Sequence, residues 1–265
     1  MEKVPVRRWK GGREAAEWDV VAEESALEIR VSASFKAQRF IRTLAVTMRT
    51  PGHDEDLAAG LLFSEGILKS QDEVTLISRG GDGSLTVDMA PWADVDWTAF
   101  DRNLPISSSC GICGRKELPR SAGAEADVIT RVKVKTLCSL PDKLAELQEG
   151  YAQTGGLHAA ALFDVNGEML RLREDVGRHN ALDKLIGSFL AQNKLPLRET
   201  VLLMTSRASY DILQKAALAG IPFVAAVGAP STAAIALAEK HQITLVGFLR
   251  DDRFNVYTGS WRISG

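Results

Sequence analysis

Alternation of apolar and polar positions first becomes regular at Leu27, Ile29 and Val31, and it returns at Leu44, Val46 and Met48. A period of two is that of a half-buried strand, so both stretches predict strands. Residues 1–20 are charged and show no such period, apart from Trp9 and Trp18, and read as irregular chain. After the second strand, Thr50 offers a cap, Pro51 a first helical position, and Asp54, Glu55 and Asp56 a negative first turn. Leu57, Leu61 and Leu62 then supply the apolar face of a helix until Gly66 interrupts it. Gly80, Gly81 and Gly83, followed by Leu85, Val87 and Met89, predict a hairpin. Residues 1–106 therefore read as a small α+β domain.

A different rhythm begins near residue 126. Ser139-Leu140-Pro141-Asp142 opens a helix that runs through Leu144 and Leu147 to Gly150. The apolar runs 158–163 and 169–172 meet across Asn166-Gly167, a strong hairpin signal. Ala181, Leu182, Leu185, Ile186 and Phe189 fall at helical spacing, and strands at 201–204, 223–227 and 243–249 alternate with helices near 208–219 and 231–240. Such alternation predicts an α/β domain, here 126–265, with helices on both faces of one sheet. In sheets of this kind ligands gather at strand carboxyl ends. The loops in question are 174–179, 205–209, 228–232 and 250–253.

Composition narrows the class. A chain of 265 residues with 45% hydrophobic and 25% charged residues is ordinary globular protein. A net charge of -2 argues against nucleic acid as a partner. No apolar window is long enough to span a membrane, and the Arg7-Arg8 pair lacks the apolar run of an export signal. Three cysteines in this length make no disulfide framework, which places the chain in the reducing cytoplasm.

Two of those cysteines lie in Ser107-Ser108-Ser109-Cys110-Gly111-Ile112-Cys113-Gly114-Arg115. Serine and glycine bury little and turn freely, so 107–125 reads as an exposed, mobile loop and linker between the two domains. A C-x-x-C setting near positive charge lowers a thiol pKa from about 8.5 towards 7. A structural zinc site needs a second ligand pair, which the chain does not supply, since Cys138 stands alone on an apolar segment. A thioredoxin-type dithiol caps a helix, whereas Gly111, Gly114 and Pro119 flank these thiols. Reactive chemistry therefore falls to Cys110 and Cys113, with no metal.

Arg178-His179 precedes one helix, Ser206-Arg207 a second, and Ser231-Thr232 a third. Helix starts favour anions, so the set suits a phosphate-bearing ligand, while each loop taken singly fits Asp175 pairing with Arg178 and serines serving as plain caps. No Gly-x-x-x-x-Gly-Lys-Ser/Thr or Gly-x-Gly-x-x-Gly cradle occurs. His158-Ala159-Ala160 lacks the acid of a zinc deaminase, and the C-x-x-C precedes the histidine instead of following it. His158 is then a core residue or a hydrogen-bond donor near the cysteine.

Taken in order, Cys110-Gly111-Ile112-Cys113-Gly114, His158-Ala159-Ala160, Glu174 to His179, Ser206 to Tyr210 and Leu245 to Phe248 resemble the formate dehydrogenase accessory sulfurtransferase family, FdhD. The resemblance implies a carboxy-terminal cytidine-deaminase-like three-layer sandwich beside the smaller α+β domain, in a homodimer. It implies a sulfurtransferase that moves persulfide sulfur from a cysteine desulfurase to the molybdenum cofactor (bis-molybdopterin guanine dinucleotide) destined for formate dehydrogenase. A cofactor-docking chaperone without sulfur chemistry is the alternative. Cys110 matches the persulfide carrier, and Phe248, Leu249, Arg250, Asp251, Asp252 and Arg253 match a cofactor-contacting loop. GDP should mimic part of the cofactor, with Arg178 and Arg207 on its phosphates. Asp251 or Asp252 then either accepts from the N1–H and amine of guanine or serves only turn geometry.

The loop's composition yields a test. Ordering it costs roughly 1–2 kcal/mol per residue, which few apolar anchors offset. Amides of 107–114 should exchange rapidly in the free protein, and slow exchange would contradict the expectation.

Overall fold

The computed structural model describes residues 1–35, 38–95 and 131–265. It is a mixed α/β molecule. Strands β1 (Glu2–Lys10) and β2 (Arg13–Val21) form a separate hairpin, where irregular chain was expected. No alternation marked it because almost nothing in it is buried. The ribbon is held by Gly11 and Gly12, both at positive φ, and by cross-strand ion pairs such as Arg7–Glu14 and Arg8–Glu17. The Gly11-Gly12 pair was the available signal.

The amino-terminal sheet has the order β4-β3-β6-β5. Its strands are β3 (Ser25–Phe35), β4 (Gln38–Arg49), β5 (Val74–Arg79) and β6 (Ser84–Met89). Leu27, Ile29, Val31, Leu85 and Val87 share its buried face and pack on α1 (Asp54–Ser64). Helix α1 starts later than Thr50-Pro51 predicted, behind a left-handed His53. Thr50 is engaged elsewhere, as described below.

The carboxy-terminal sheet has the order β13-β12-β11-β10-β8-β9. Here β8 is His158–Asp164, β9 Met169–Asp175, β10 Thr200–Met204, β11 Phe223–Ala226, β12 Thr244–Arg250 and β13 Arg253–Thr258. Strands β10, β11 and β12 run parallel, while β8 is antiparallel to β10. One face carries α4 (Arg178–Leu190), α5 (Tyr210–Leu218) and α6 (Thr232–Lys240). The other carries Leu137, Leu140 and Leu144 of α2 (Val134–Leu147). Helices thus cover both faces, in three layers.

Helix α2 begins five residues before Ser139, and Pro141 lies inside it. Burial of Leu137, Leu140 and Leu144 against the sheet outweighs the missing N–H of one proline. The chain breaks at Gln148 into a short α3 (Glu149–Thr154), whose first amides donate to Glu174. Strand β7 (Val132–Lys133) pairs with β14 (Ile263–Ser264).

Helices α1 and α4 join the two sheets. A Cβ on Gly60 would come within 1.9 Å of the Asp183 carbonyl, and one on Gly187 within 1.9 Å of the Asp56 carbonyl. The helices touch backbone to backbone. Helix α4 is consequently buried almost all round, polar residues included. Lys184 pairs with Asp175 at 2.7 Å, and Lys215 with Asp183 at 2.7 Å. Asp175 therefore does not pair with Arg178 as a plain turn would have it; it answers a lysine nine positions on, which the strand–turn–helix geometry brings back.

Gly187→Ala should cost about 3 kcal/mol or more, since overpacked helices must separate. Gly81→Ala, with open space around it, should be near neutral. Urea midpoints check both, and an unchanged midpoint for Gly187→Ala would refute the contact.

Candidate functional site

Because β10, β11 and β12 run parallel, their carboxyl ends share one edge, and antiparallel β8 brings its first residue there. Backbone bonds stitch this rim together. Thr205 N–H donates to the Ala159 carbonyl (3.1 Å), and Ala159 N–H returns to Thr205 Oγ1 (2.9 Å). Gly228 N–H donates to the Ser206 carbonyl (3.1 Å), and Phe248 N–H to the Gly228 carbonyl (3.2 Å). A Cβ on Gly228 would lie 3.0 Å from the Arg207 backbone, so glycine permits the close approach. His158, Ser206, Arg207 and Phe248 thereby lie along one continuous edge.

Phe248 holds a left-handed φ of 55°, and the β12–β13 register breaks between Gly247 and Arg250. Such a conformation is costly for a side chain with a Cβ and recurs at functional sites. Leu249 is buried behind it. The chain then turns tightly through Asp251-Asp252, both exposed, with Asp251 also left-handed. Arg250 pairs with Arg253 across that turn. The turn's neighbour is α2, where Asp252 acts on the Cys138 thiol.

Arg178 and His179 begin α4 directly after Asp175, whose strand partner is His158. Asp175 accepts from Thr50 N–H (3.1 Å), Gly177 N–H (2.8 Å) and Asn180 Nδ2 (3.1 Å) besides Lys184. Thr50 in turn accepts from Val176 N–H (3.1 Å) at its hydroxyl and from Lys184 Nζ (2.8 Å) at its carbonyl. This network fixes the turn that presents Arg178. His179 is buried, with Nε2 at 3.6 Å from Asp211 Oδ2 on α5.

Arg178 Nε, His179 Nε2 and Ser209 Oγ are buried without hydrogen-bond partners among the described residues. All three lie at the starts of α4 and α5, where free backbone N–H groups favour an anion. Arg207 is exposed beside them, and Ser206 Oγ donates to the Arg207 carbonyl (3.1 Å). The third loop joins the second through Ala208 and Ala229, but Ser231 is used as a cap, accepting from Ala234 N–H (3.2 Å). The structure thus gathers His158, Arg178, His179, Ser206, Arg207 and Phe248 on one rim. The 250–253 turn stands further along it.

Beside the rim, below α2 and α3, lies a cleft of about 450 Å³. Leu144, Leu157 and Val227 form apolar wall, and Gln148, Tyr151, His158 and Thr205 supply polar groups. Sequence reasoning missed Gln148 and Tyr151.

Burial lowers the pKa of His158 first, and the charges of Arg178 and His179 lower it further. It therefore stays a neutral imidazole near pH 7. Cys138 is the one thiol among the described residues, and burial and then Asp252 push its pKa up. Cys110 and Cys113 lie outside the described residues. Among those described, no three His, Cys, Asp or Glu groups stand close enough to hold a metal, and no helix is long and apolar enough to cross a membrane.

Residues 22–264 match the sequence model of the FdhD/NarQ family. A sulfur carrier protein FdhD of Streptomyces avermitilis is 43% identical, covering 99% of this chain and 95% of its own. One of Sulfurisphaera tokodaii is 41% identical, covering 99% of both chains. A crystal structure described as a formate dehydrogenase accessory protein, from Desulfotalea psychrophila, superposes with a TM-score of 0.78 at 27% identity, covering 99% of both chains.

Geometry at His158 gives a prediction. Its imidazole should titrate below the ordinary value of 6.5, and Arg178→Ala should raise it. Because the folded chain holds this proton less tightly than the unfolded one, the contribution to stability is lost as pH falls below 6.5. NMR titration decides, and a value above 6.5 would contradict the packing.

Proposed function

The chain belongs to the FdhD/NarQ family, and on that premise we propose that it is a sulfur carrier for formate dehydrogenase, a sulfurtransferase acting through a cysteine persulfide. The observation that carries this reading is the match over nearly the whole chain to relatives that are named sulfur carrier proteins. Sulfur comes from a cysteine desulfurase and goes to the molybdenum cofactor, bis-molybdopterin guanine dinucleotide, as acceptor substrate. The protein works in the cytoplasm as a homodimer. Its three-layer domain is the cytidine-deaminase-like sandwich of the family, without the deaminase ligands.

Thiol chemistry selects the carrier. A thiol whose pKa is raised is a poor nucleophile, so Cys138 is unsuited to the task. Cys110 is the carrier. Its thiolate attacks the outer sulfur of the desulfurase persulfide, a new S–S bond forms at Cys110, and the desulfurase cysteine leaves as thiolate. The Cys113 thiol then attacks the Cys110 sulfur, closing a disulfide and releasing the outer sulfur as hydrosulfide towards the acceptor. The two electrons that turn sulfane sulfur into sulfide come from the pair of cysteines, and a cellular thiol reductant restores them.

Acceptor binding falls to the rim. Arg178, His179, Ser206 and Arg207 take the phosphates, supported by Arg178 Nε and His179 Nε2, which lie buried at the start of α4 without hydrogen-bond partners among the described residues. Phe248 to Arg253 border the ligand, supported by the strained backbone at Phe248. Neutral His158 stands beside Arg178, where it adds no positive charge of its own.

Incubation with a cysteine desulfurase and cysteine should add one reductant-labile sulfur to the intact protein. Cys138→Ala should keep it and Cys110→Ala should lose it. Persistence in Cys110→Ala would sink the assignment, and full activation of formate dehydrogenase by that variant would favour a docking chaperone.

A further inference from the structure

The ribbon of β1 and β2 takes no part in the rim or in sulfur carriage. It stands apart from both larger sheets, and among the described residues β2 pairs with β1 alone. Positions 13–19 of β2 are all exposed, whereas Val20 and Val21 are half-buried. Trp9 and Trp18 are 68% and 67% exposed. A free strand edge is a template for another strand, and a two-stranded ribbon that buries almost nothing is marginal by itself.

Sequence decides which edge is open. Pro5 lies within β1 and has no N–H to offer, which guards an edge against pairing. Strand β2 carries no proline, and its exposed stretch is centred on the small residue Ala16. At the ribbon's tip Lys10 faces Arg13 across the strands, and neither forms an ion pair among the described residues. Like charges set opposite each other are destabilising, so this pair calls for a carboxylate alongside.

The stretch 13–19 is complementary to its own reverse. Laid antiparallel on an identical strand about Ala16, Arg13 faces the partner's Asp19 and Asp19 faces the partner's Arg13. Glu14 then faces the partner's Trp18, Ala15 faces the partner's Glu17, and no like charges meet. A slip of one residue in either direction sets Glu14 against the partner's Glu17 or the partner's Asp19, so charge fixes the register. Cross-strand neighbours share a face, which brings Trp9, Glu14, the partner's Trp18 and the partner's Pro5 into one row.

We propose that two copies of this chain join β2 to β2, antiparallel about Ala16, into a four-stranded sheet of order β1-β2-β2-β1. The proposal rests on the homodimer named under the proposed function and gives it a surface. One two-fold axis at Ala16 forms both Arg13–Asp19 pairs at once, the mark of an isologous contact. Seven residues a side is small beside the roughly 20–30 of a stable interface, so the dimer should come apart on dilution.

Analytical ultracentrifugation of the full chain over a concentration series tests this. The wild-type protein should dimerise, and amide exchange at 13–19 should slow as concentration rises, a readout that needs no variant. Arg13→Asp and Asp19→Arg, each alone, should weaken the dimer about tenfold or more, because like charges then meet at both ends of the junction. An equimolar mixture of the two variants should regain a dimer of one copy of each, since opposite charges face each other again. Both positions are exposed, so folding is not at stake. A dimer indifferent to both reversals, or no recovery on mixing, would overturn the junction and leave the homodimer standing. A wild-type chain monomeric at every concentration would overturn both, as would amides at 13–19 that slow only when cysteine desulfurase is added. Persulfide loading of Cys110, which Arg13→Asp should leave unchanged, judges the carrier reading separately.

Discussion

The buried pair Asp175–Lys184 is the constraint on which the molecule's two halves depend. Both side chains are essentially inaccessible, and the ammonium and carboxylate lie 2.7 Å apart. An ion pair so deep gains little net stability over an apolar pair, yet removing one partner leaves a buried charge at a cost of about 3–5 kcal/mol. What it provides is position. Asp175 closes β9, Lys184 lies within α4, and both reach Thr50 at the end of the amino-terminal sheet. Asn180 adds a bond from α4 to the Met48 carbonyl (2.8 Å). One polar knot therefore sets the turn, the helix and the neighbouring sheet together.

Function follows from where that knot lies. The turn it fixes is the one that carries Arg178 and His179, and the glycine contacts at Gly60 and Gly187 keep α4 from sliding along α1. A second buried pair, Asp183–Lys215, joins α4 to α5, with Ser64 Oγ of α1 donating to Asp183 at 2.8 Å. Burial pushes the Asp183 carboxyl up while Lys215 pulls it down, and burial dominates. The starts of α4 and α5 are thus held at a set spacing, and Arg178 Nε, His179 Nε2 and Ser209 Oγ lie there buried without hydrogen-bond partners among the described residues. A rim preorganised in this way is spared the cost of ordering itself around a ligand.

Much of this was legible in the sequence because the relevant signals are local. Asn166-Gly167 announced the β8–β9 hairpin, the period-two runs announced β3, β4 and β6, and Ser231 announced α6. Signals that depend on distant partners were not legible. Thr50 looked like a helix cap, but its hydroxyl and carbonyl serve β9 and α4. Asp175 looked like a partner for Arg178, but Lys184, nine positions on and inside α4, takes that place. Pro141 looked like a helix start, and the sheet beneath α2 overrode it. Gln148 carried no signal at all, since a lone glutamine at a helix break is ordinary until its burial and its cleft are seen. The loop with Cys110 and Cys113 was read from composition alone and lies outside the described residues.

The central claim is that sulfur travels through Cys110 to the acceptor and is not merely accompanied by the protein. Protein loaded with radiolabelled sulfur, freed of desulfurase and mixed with an apo-formate dehydrogenase carrying unsulfurated cofactor, measures this directly. The label should leave the carrier and appear on the enzyme-bound cofactor in step with formate oxidation. Activation with the label still on the carrier would contradict the account.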